Sequence, residues 1–374
     1  MARKSTSRTK LLPAAQGYRM PAEWEPHEST WLAWPHFRGD WPGKFEPIPW
    51  VYAEIVRNVA RHERVDLIVN NASSEERARA MLEKADALSA NVCFHHWRTD
   101  RVWTRDSGCI FLTPADEHHP EPGDSGLLAL HFQFNAWAKY PNYKLDAKVG
   151  ERMAKAAGVR IERPFVDDSV QDKHRVVLEG GSIDVNGCGA LLTTEECLLS
   201  TTQQRNPPMD RAAYERLFAD YFGAPTVIWL ESGIAGDDTH GHVDDITRFV
   251  APNAVVTMIE PNERSENHAA LRANLGRLKN ARSTDGQRLE IVEIPMPRPV
   301  VFEGRQLPAS YANFYIANGV VLVPVFNDPD DRIALNTLAA LFPTREIVPI
   351  YSGDLIWGFG ALHCMTQQQP VVSA

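Results

Sequence analysis

Tyr311-Ala312-Asn313-Phe314-Tyr315-Ile316-Ala317-Asn318-Gly319-Val320-Val321-Leu322-Val323-Pro324-Val325 is the stretch that decides the fold. Two apolar runs flank an Asn-Gly pair, and that pairing is a strong hairpin signal. Asp328-Pro329 follows as a helix start with proline at the first helical position, and Ala334, Leu338 and Leu341 then recur at helical spacing. The apolar run Glu346–Ile350 closes the unit, so its order is strand, strand, helix, strand.

The same order is legible upstream. Arg175–Val185 and Gly189–Thr193 flank Asn186-Gly187, followed by the apolar face Tyr214, Leu217, Phe218, Tyr221 with Gly223 as its stop, and then by Thr226–Leu230. Asp245–Val250 and Ala254–Ile259 turn at Pro252-Asn253, before a helix through Leu271, Leu275 and Leu278 capped by Ser265, and the strand Leu289–Ile294. Leu145, Val149, Met153 and Ala156, closed by Gly158, precede Arg160–Phe165. Tyr52, Ile55, Val56 and Val59 mark the first helix, and an extra one over Ser73–Leu88 opens with Ser73 and Glu76 at capping-box spacing. The interval of roughly 60 residues is too long for most solenoids. A doubly wound sheet is the competing arrangement, but it alternates strand and helix without so many hairpins. Units of this kind around an axis would leave catalytic residues at the inner ends of several strands.

Composition narrows the function. The chain has 374 residues, 44% hydrophobic and 23% charged, with 48 acidic against 39 basic side chains and a net charge of −9. That balance argues against a nucleic-acid partner and suits a small cationic substrate. No apolar run is long enough to span a bilayer. The five cysteines, Cys93, Cys109, Cys188, Cys197 and Cys364, form no CxxC pair, so a reducing cytoplasm is the expected compartment. Residues 1–19 are expected to be a disordered basic head, with Arg3, Lys4, Arg8, Lys10 and Arg19 and no acid. Residues 20–374 show no linker and are expected to form one domain.

Four segments carry chemistry. Gly358-Phe359-Gly360-Ala361-Leu362-His363-Cys364-Met365-Thr366-Gln367-Gln368 places a cysteine after glycines on the last apolar strand, a candidate nucleophile. Gly236-Asp237-Asp238-Thr239-His240-Gly241-His242-Val243-Asp244-Asp245 holds two histidines and four carboxylates. It permits two readings. His242 is a general acid/base with Asp244 a cation ligand on the same strand face; or His240, His242 and Asp244 form an HxHxD metal site of a metal-dependent hydrolase. The second needs further histidines downstream, where only His268, inside an expected helix, and His363 remain. Trp103-Thr104-Arg105-Asp106-Ser107-Gly108 opens a strand with an aspartate at its lip, and Leu178-Glu179-Gly180-Gly181 puts a glutamate in an apolar strand.

Together these segments resemble the agmatine deiminase family within the guanidino-group-modifying superfamily. The resemblance begins with Met20-Pro21-Ala22-Glu23-Trp24-Glu25-Pro26-His27-Glu28 and Thr30-Trp31-Leu32-Ala33-Trp34-Pro35. It continues in order through Trp103–Gly108, Phe134-Asn135-Ala136-Trp137, Glu179-Gly180-Gly181, Gly241-His242-Val243-Asp244, Ser310–Tyr315 and His363–Gln368. It implies a fivefold pseudosymmetric α/β propeller, in agreement with the repeated unit. It also implies Cys364 as nucleophile, His242 as general acid/base, Glu179 as the group that orients His242, and Asp106 and Asp244 as guanidinium ligands, with Trp103 and Asn313 in the pocket. The implied substrate is agmatine, converted to N-carbamoylputrescine in polyamine synthesis with no metal or organic cofactor; free or peptidyl arginine is the alternative. A homo-oligomer is allowed. A non-catalytic binding ring is a further alternative, disfavoured because all five catalytic positions hold competent residues. The chain departs from the family pattern at Phe359, within the glycine run, at Cys109, where many relatives have proline, and over Asp40–Trp50.

Overall fold

A computed structural model describes residues 11–115, 126–165 and 174–371. The unit expected from the sequence recurs with one pairing scheme. Tyr315–Ile316 runs antiparallel to Val320–Val325, the helix Asp331–Leu341 crosses over, and Glu346–Tyr351 returns parallel to Val320–Val325. A tight turn can join antiparallel neighbours, whereas a parallel return needs a crossover, and the helix supplies it. It buries Ala334 and Leu338, one turn apart, against the sheet.

Thr247–Ala251, Ala254–Ile259 and Glu290–Pro295 repeat the scheme around the helix Glu266–Asn280. Asp184–Val185, Ala190–Thr194 and Thr226–Leu230 do so around Arg211–Phe222, and Ile110–Pro114, Leu128–Leu130 and Arg160–Glu162 around Val149–Ala156. The remaining unit is shared by the two ends of the chain. Gln367–Pro370 pairs antiparallel with His27–Ala33, which lies parallel to Arg64–Val69 beyond the helix Ile48–Val59. The helix Ala72–Lys84 then adds a parallel edge strand, Val92–His96. Among the described residues no helix is long and apolar enough to cross a membrane.

Several local expectations are corrected. Residues 1–10 of the expected basic head lie outside the described residues, but residues 11–19 are structured. Ala14–Gln16 forms a short 3-10 turn, and Tyr18–Arg19 pairs with Thr113 and Pro114 as an edge strand, burying the Tyr18 ring. The cap of the Ala72–Lys84 helix is Asn71, whose Oδ1 accepts from Ser74 N at 2.9 Å, and not Ser73. The Asp331–Leu341 helix starts after Asp328-Pro329, because Asp331 turns its carboxylate back onto the Phe326 and Asp328 amides.

The largest correction concerns the chemistry-bearing segments, which were expected on strands. Each lies instead on a short turn just before the first strand of a unit. Thr104–Ser107 is one helical turn; Gly180–Ser182 and Val243–Asp245 are 3-10 turns; residues 311–312 and 362–365 are turns. The turns are buried, so their composition matches a strand interior and period-two reading cannot separate them. The charged residues Glu23, Arg105, Asp106, Glu179, Asp244 and Arg248 are buried there, where the five turns meet. Such groups persist inside a protein only when paired or hydrogen-bonded.

Candidate active site

Cys364 sits in the turn of residues 362–365, only 5% exposed. The Asn313 side chain holds that turn. Its Oδ1 accepts from the backbone N of His363 at 3.0 Å and of Cys364 at 3.4 Å, while Nδ2 donates to Cys364 Sγ at 3.1 Å and to Asp245 Oδ1 at 2.9 Å. Cys364 Sγ lies 3.7 Å from Asp244 Oδ2. Burial and the neighbouring carboxylates of Asp244, Asp245 and Asp106 push the thiol well above its ordinary value, so the resting sulfur is protonated.

Asp244 Oδ2 also meets His363 Nδ1 at 2.7 Å, while its Oδ1 has no hydrogen-bond partner among the described residues. Burial raises this carboxyl, but the His363 contact, with His242 and Arg248, more than reverses that and holds it ionised. Asp106 is fixed by two donors: Trp137 Nε1 to Oδ2 at 2.9 Å and Gly181 N to Oδ1 at 3.0 Å. Burial dominates there, opposed by the His242 charge and reinforced by Asp244 and Glu179, and pushes it up to about 6.

His242 is completely buried between two carboxylates. Nδ1 stands 3.9 Å from Asp106 Oδ1 and Nε2 3.9 Å from Glu179 Oε2, and neither ring nitrogen has a hydrogen-bond partner among the described residues. Burial opposes its charge, yet Asp106, Cys197 and Glu179 raise it well above the usual histidine value, so the ring is an imidazolium at neutral pH. Glu179 is itself paired, Oε1 lying 3.1 Å from Arg205 Nε. Burial raises Glu179, and Arg205 and His242 overcome it, lowering the carboxyl to about 2.

Glycines open this space. A Cβ on Gly181 would lie 2.6 Å from His242 Nδ1, 3.0 Å from Asp244 Oδ2 and 3.1 Å from Asp106 Oδ1. A Cβ on Gly360 would stand 2.6 Å from the Trp103 ring and 3.1 Å from Cys364 Cβ. The cavity that reaches Cys364 is lined by Trp103, Asp106, Trp137, Tyr140, Asp238 and Phe359 among others.

The structure thus brings Cys364, His242, Glu179, Asp106, Asp244, Trp103 and Asn313 into one place. It does not assemble the HxHxD set. His240 adopts φ +66°, and its ring faces Ser200 Oγ at 3.2 Å and Glu196 at 3.6 Å, away from His242 and Asp244. The reading of His242 and Asp244 as neighbours on a strand face also falls, since Val243–Asp245 is a 3-10 turn. Sequence reasoning gave no role to His363, Glu23, Arg205, Cys197 or Trp137. Glu23 and Trp137 lie inside motifs quoted above, but no local pattern marks their contacts.

A thiol and a carboxylate that line one cavity, with an imidazolium and a second carboxylate packed against them, suit attack on a planar cation. Comparison with known proteins agrees. The chain is 34% identical over 381 residues to agmatine deiminase of Pseudomonas aeruginosa (strain LESB58), covering 96% of this chain and 97% of the relative. Agmatine deiminase of Enterococcus faecalis superposes with TM-score 0.86 at 28% identity, covering 97% of this chain and 98% of that one. C. jejuni agmatine deiminase with substrate bound gives TM-score 0.79 at 30% identity, covering 94% and 96%. Since residues 19–370 also match the family described as Porphyromonas-type peptidyl-arginine deiminase, the chain belongs to that family.

Proposed function

We propose that this protein is an agmatine deiminase, hydrolysing the guanidinium of agmatine to a ureido group and ammonia. One observation carries the reading: Cys364 and Asp106 line one cavity, with Asp244 Oδ2 3.7 Å from the sulfur and the buried, charged His242 3.9 Å from Asp106.

A guanidinium carbon is a poor electrophile, because its charge is spread over three nitrogens. Asp106 and Asp244 fix the planar cation by charge-assisted hydrogen bonds and set its carbon beside sulfur. The resting thiol is protonated because burial and the carboxylates of Asp244, Asp245 and Asp106 oppose its ionisation. The bound cation reverses that local balance, and the thiol gives its proton to solvent as the substrate arrives. Sulfur then bonds to the guanidinium carbon, His242 delivers its proton to the departing nitrogen, and ammonia leaves. A thiouronium on Cys364 remains. Water attacks it and gives one proton to His242; the C–S bond then breaks as the hydroxyl becomes the ureido carbonyl, and its remaining proton returns to sulfur, restoring the thiol. Glu179, anchored by Arg205, keeps His242 charged for the first step. The aromatic walls, Trp137, Tyr140 and Phe359, suit a methylene chain, and Asp238 beyond them is already paired with Lys139 and Arg305.

The five units are read as blades of one propeller, and residues 20–374 as one catalytic domain. Contacts between successive turns support this. Gly181 N donates to Asp106, Arg248 pairs with Asp184, Arg248 also donates to the Phe314 carbonyl, His363 N donates to Asn313, and Arg105 N donates to the Cys364 carbonyl.

The test is ammonia and ureido-product release from agmatine, free arginine and a blocked arginine peptide, with the unmodified protein and Cys364→Ala. Agmatine turnover that disappears in the variant supports the reading. Turnover of an arginine substrate alone would keep the chemistry and overturn the substrate.

A further inference from the structure

His363 precedes the nucleophile, and its side chain joins a chain of buried charges. Nδ1 meets Asp244 Oδ2 at 2.7 Å and Nε2 meets Glu23 Oε2 at 2.7 Å. The ring is 1% exposed and Glu23 5%, so water competes little for either contact. Glu23 is in turn held from three more directions. Arg248 Nη2 lies 3.0 Å from Oε1, Arg105 Nη2 3.3 Å from Oε2, and the Ile316 amide donates to Oε1 at 2.9 Å. Arg105 also grips the His363 backbone carbonyl at 3.3 Å, and its other end donates to Gln368 at 2.7 Å.

His363 also lines a small second pocket with Glu23, Arg105 and Asp184. The groups facing His363 are therefore Asp244, Glu23, Arg105, Arg248, Asp184 and its own neighbour Cys364. Two of its faces are anionic, and the cations behind Glu23 fix that carboxylate in place.

We propose that His363 is a positioning residue for the guanidinium-binding carboxylate, anchoring Asp244 Oδ2 to the Glu23–Arg105–Arg248 network so that Oδ1 stays free for the substrate. This rests on the reading of Asp244 as a guanidinium ligand. The contact engages Oδ2, which the Cys364 thiol also approaches at 3.7 Å, and leaves Oδ1 unpartnered among the described residues, as a bound cation requires. It also selects the ionised carboxylate, because an imidazole N–H donates to that form.

The two amide replacements separate the contacts by reach. The asparagine amide falls near the position of Nδ1 and can keep the Asp244 contact, whereas the glutamine amide falls near Nε2 and keeps only the Glu23 contact. Agmatine affinity is measured by calorimetry across pH in the Cys364→Ala background, where turnover cannot interfere. His363→Gln is expected to weaken binding by about tenfold or more, the order expected for losing a hydrogen bond to a charged group. Its acid limb moves to higher pH, since Asp244 then protonates sooner. His363→Asn is expected to lose less and to leave the acid limb nearly in place. Should His363→Gln not fold, Glu23→Gln probes the same link from its other end, and is expected to weaken binding with a shifted acid limb.

Equal losses in the two His363 variants with an unmoved acid limb would reduce His363 to packing and overturn the proposal. So would unchanged affinity in His363→Gln, or in Glu23→Gln where that variant stands in. Failure of Cys364→Ala alone to bind agmatine would overturn the substrate reading and this inference with it.

Discussion

Arg205 Nε lies 3.1 Å from Glu179 Oε1, and neither side chain has any exposed surface. The pair stands behind His242: Arg205 holds Glu179 ionised, and ionised Glu179 helps to hold His242 charged. Removing the cation strands a carboxylate in the interior. Arg205→Leu is therefore expected to destabilise the fold by about 3–5 kcal/mol, the usual cost of breaking a buried pair. Chemical denaturation measures this.

The Glu179 shift also fixes an acid-stability window. Its folded-state value is about 2 against an ordinary 4.5, so the folded protein binds fewer protons than the unfolded chain between these values. The contribution is complete above about pH 4.5 and is lost as pH falls toward 2. Denaturation midpoints followed over that range should fall with pH in the parent protein, and Arg205→Leu should show a flatter fall.

Cys364→Ala is expected to lower turnover by at least about a thousandfold, as loss of a covalent nucleophile does. Its far-ultraviolet spectrum and melting temperature should stay close to the parent's. Cys188 is the control, because it is exposed and takes no part in the site. Cys188→Ser should keep full activity. Full activity in Cys364→Ala would refute the mechanism.

Asp106, proposed as a guanidinium ligand, is expected to set the acid limb of kcat/KM in the free enzyme. Burial pushes it up to about 6, and its ionised form is the one that would grip the guanidinium. As pH falls through about 6, Asp106 protonates and KM should rise. Asp106→Asn should remove that limb along with most of the activity. A kcat/KM profile flat between pH 5 and 7 in the parent, values on the order of one unit either side of this pKa, would exclude the assignment.

Gly181→Ala tests the geometry at the centre of the site. Its backbone is not in the left-handed region, so alanine adds no conformational strain, yet the new methyl would lie 2.6 Å from His242 Nδ1. The expected result is a folded protein with kcat/KM lowered by about a hundredfold, the cost of displacing reacting groups by an ångström. Near-normal activity would mean that this space is not where the substrate and His242 meet.

The turns, periodicities and side-chain types in the sequence were enough to define the repeating unit. Asn318-Gly319, Ser265 and Gly223 mark local hydrogen-bond and backbone requirements that hold in any context, and the hairpin and helix limits they foretold are found. The family resemblance named the seven site positions, and their side chains converge. The placing of those residues on strands failed, because a buried turn is as apolar as a strand. The disordered head failed over residues 11–19 for a related reason: the strand partner of Tyr18–Arg19 lies at Thr113 and Pro114, too far along the chain for local pattern to reveal.

What the sequence by itself determined was local and chemical: strand, strand, helix, strand, and a cysteine, a histidine and carboxylates competent for guanidinium chemistry. What only the tertiary structure decided was which charges are buried together. His363 joins Asp244 across 119 positions and Glu23 across 340, and His240, two residues from His242, faces the other way. Contacts of that range leave no periodic trace. They follow from the five turns meeting in one interior, where lost water makes each buried charge depend on the partner the fold supplies.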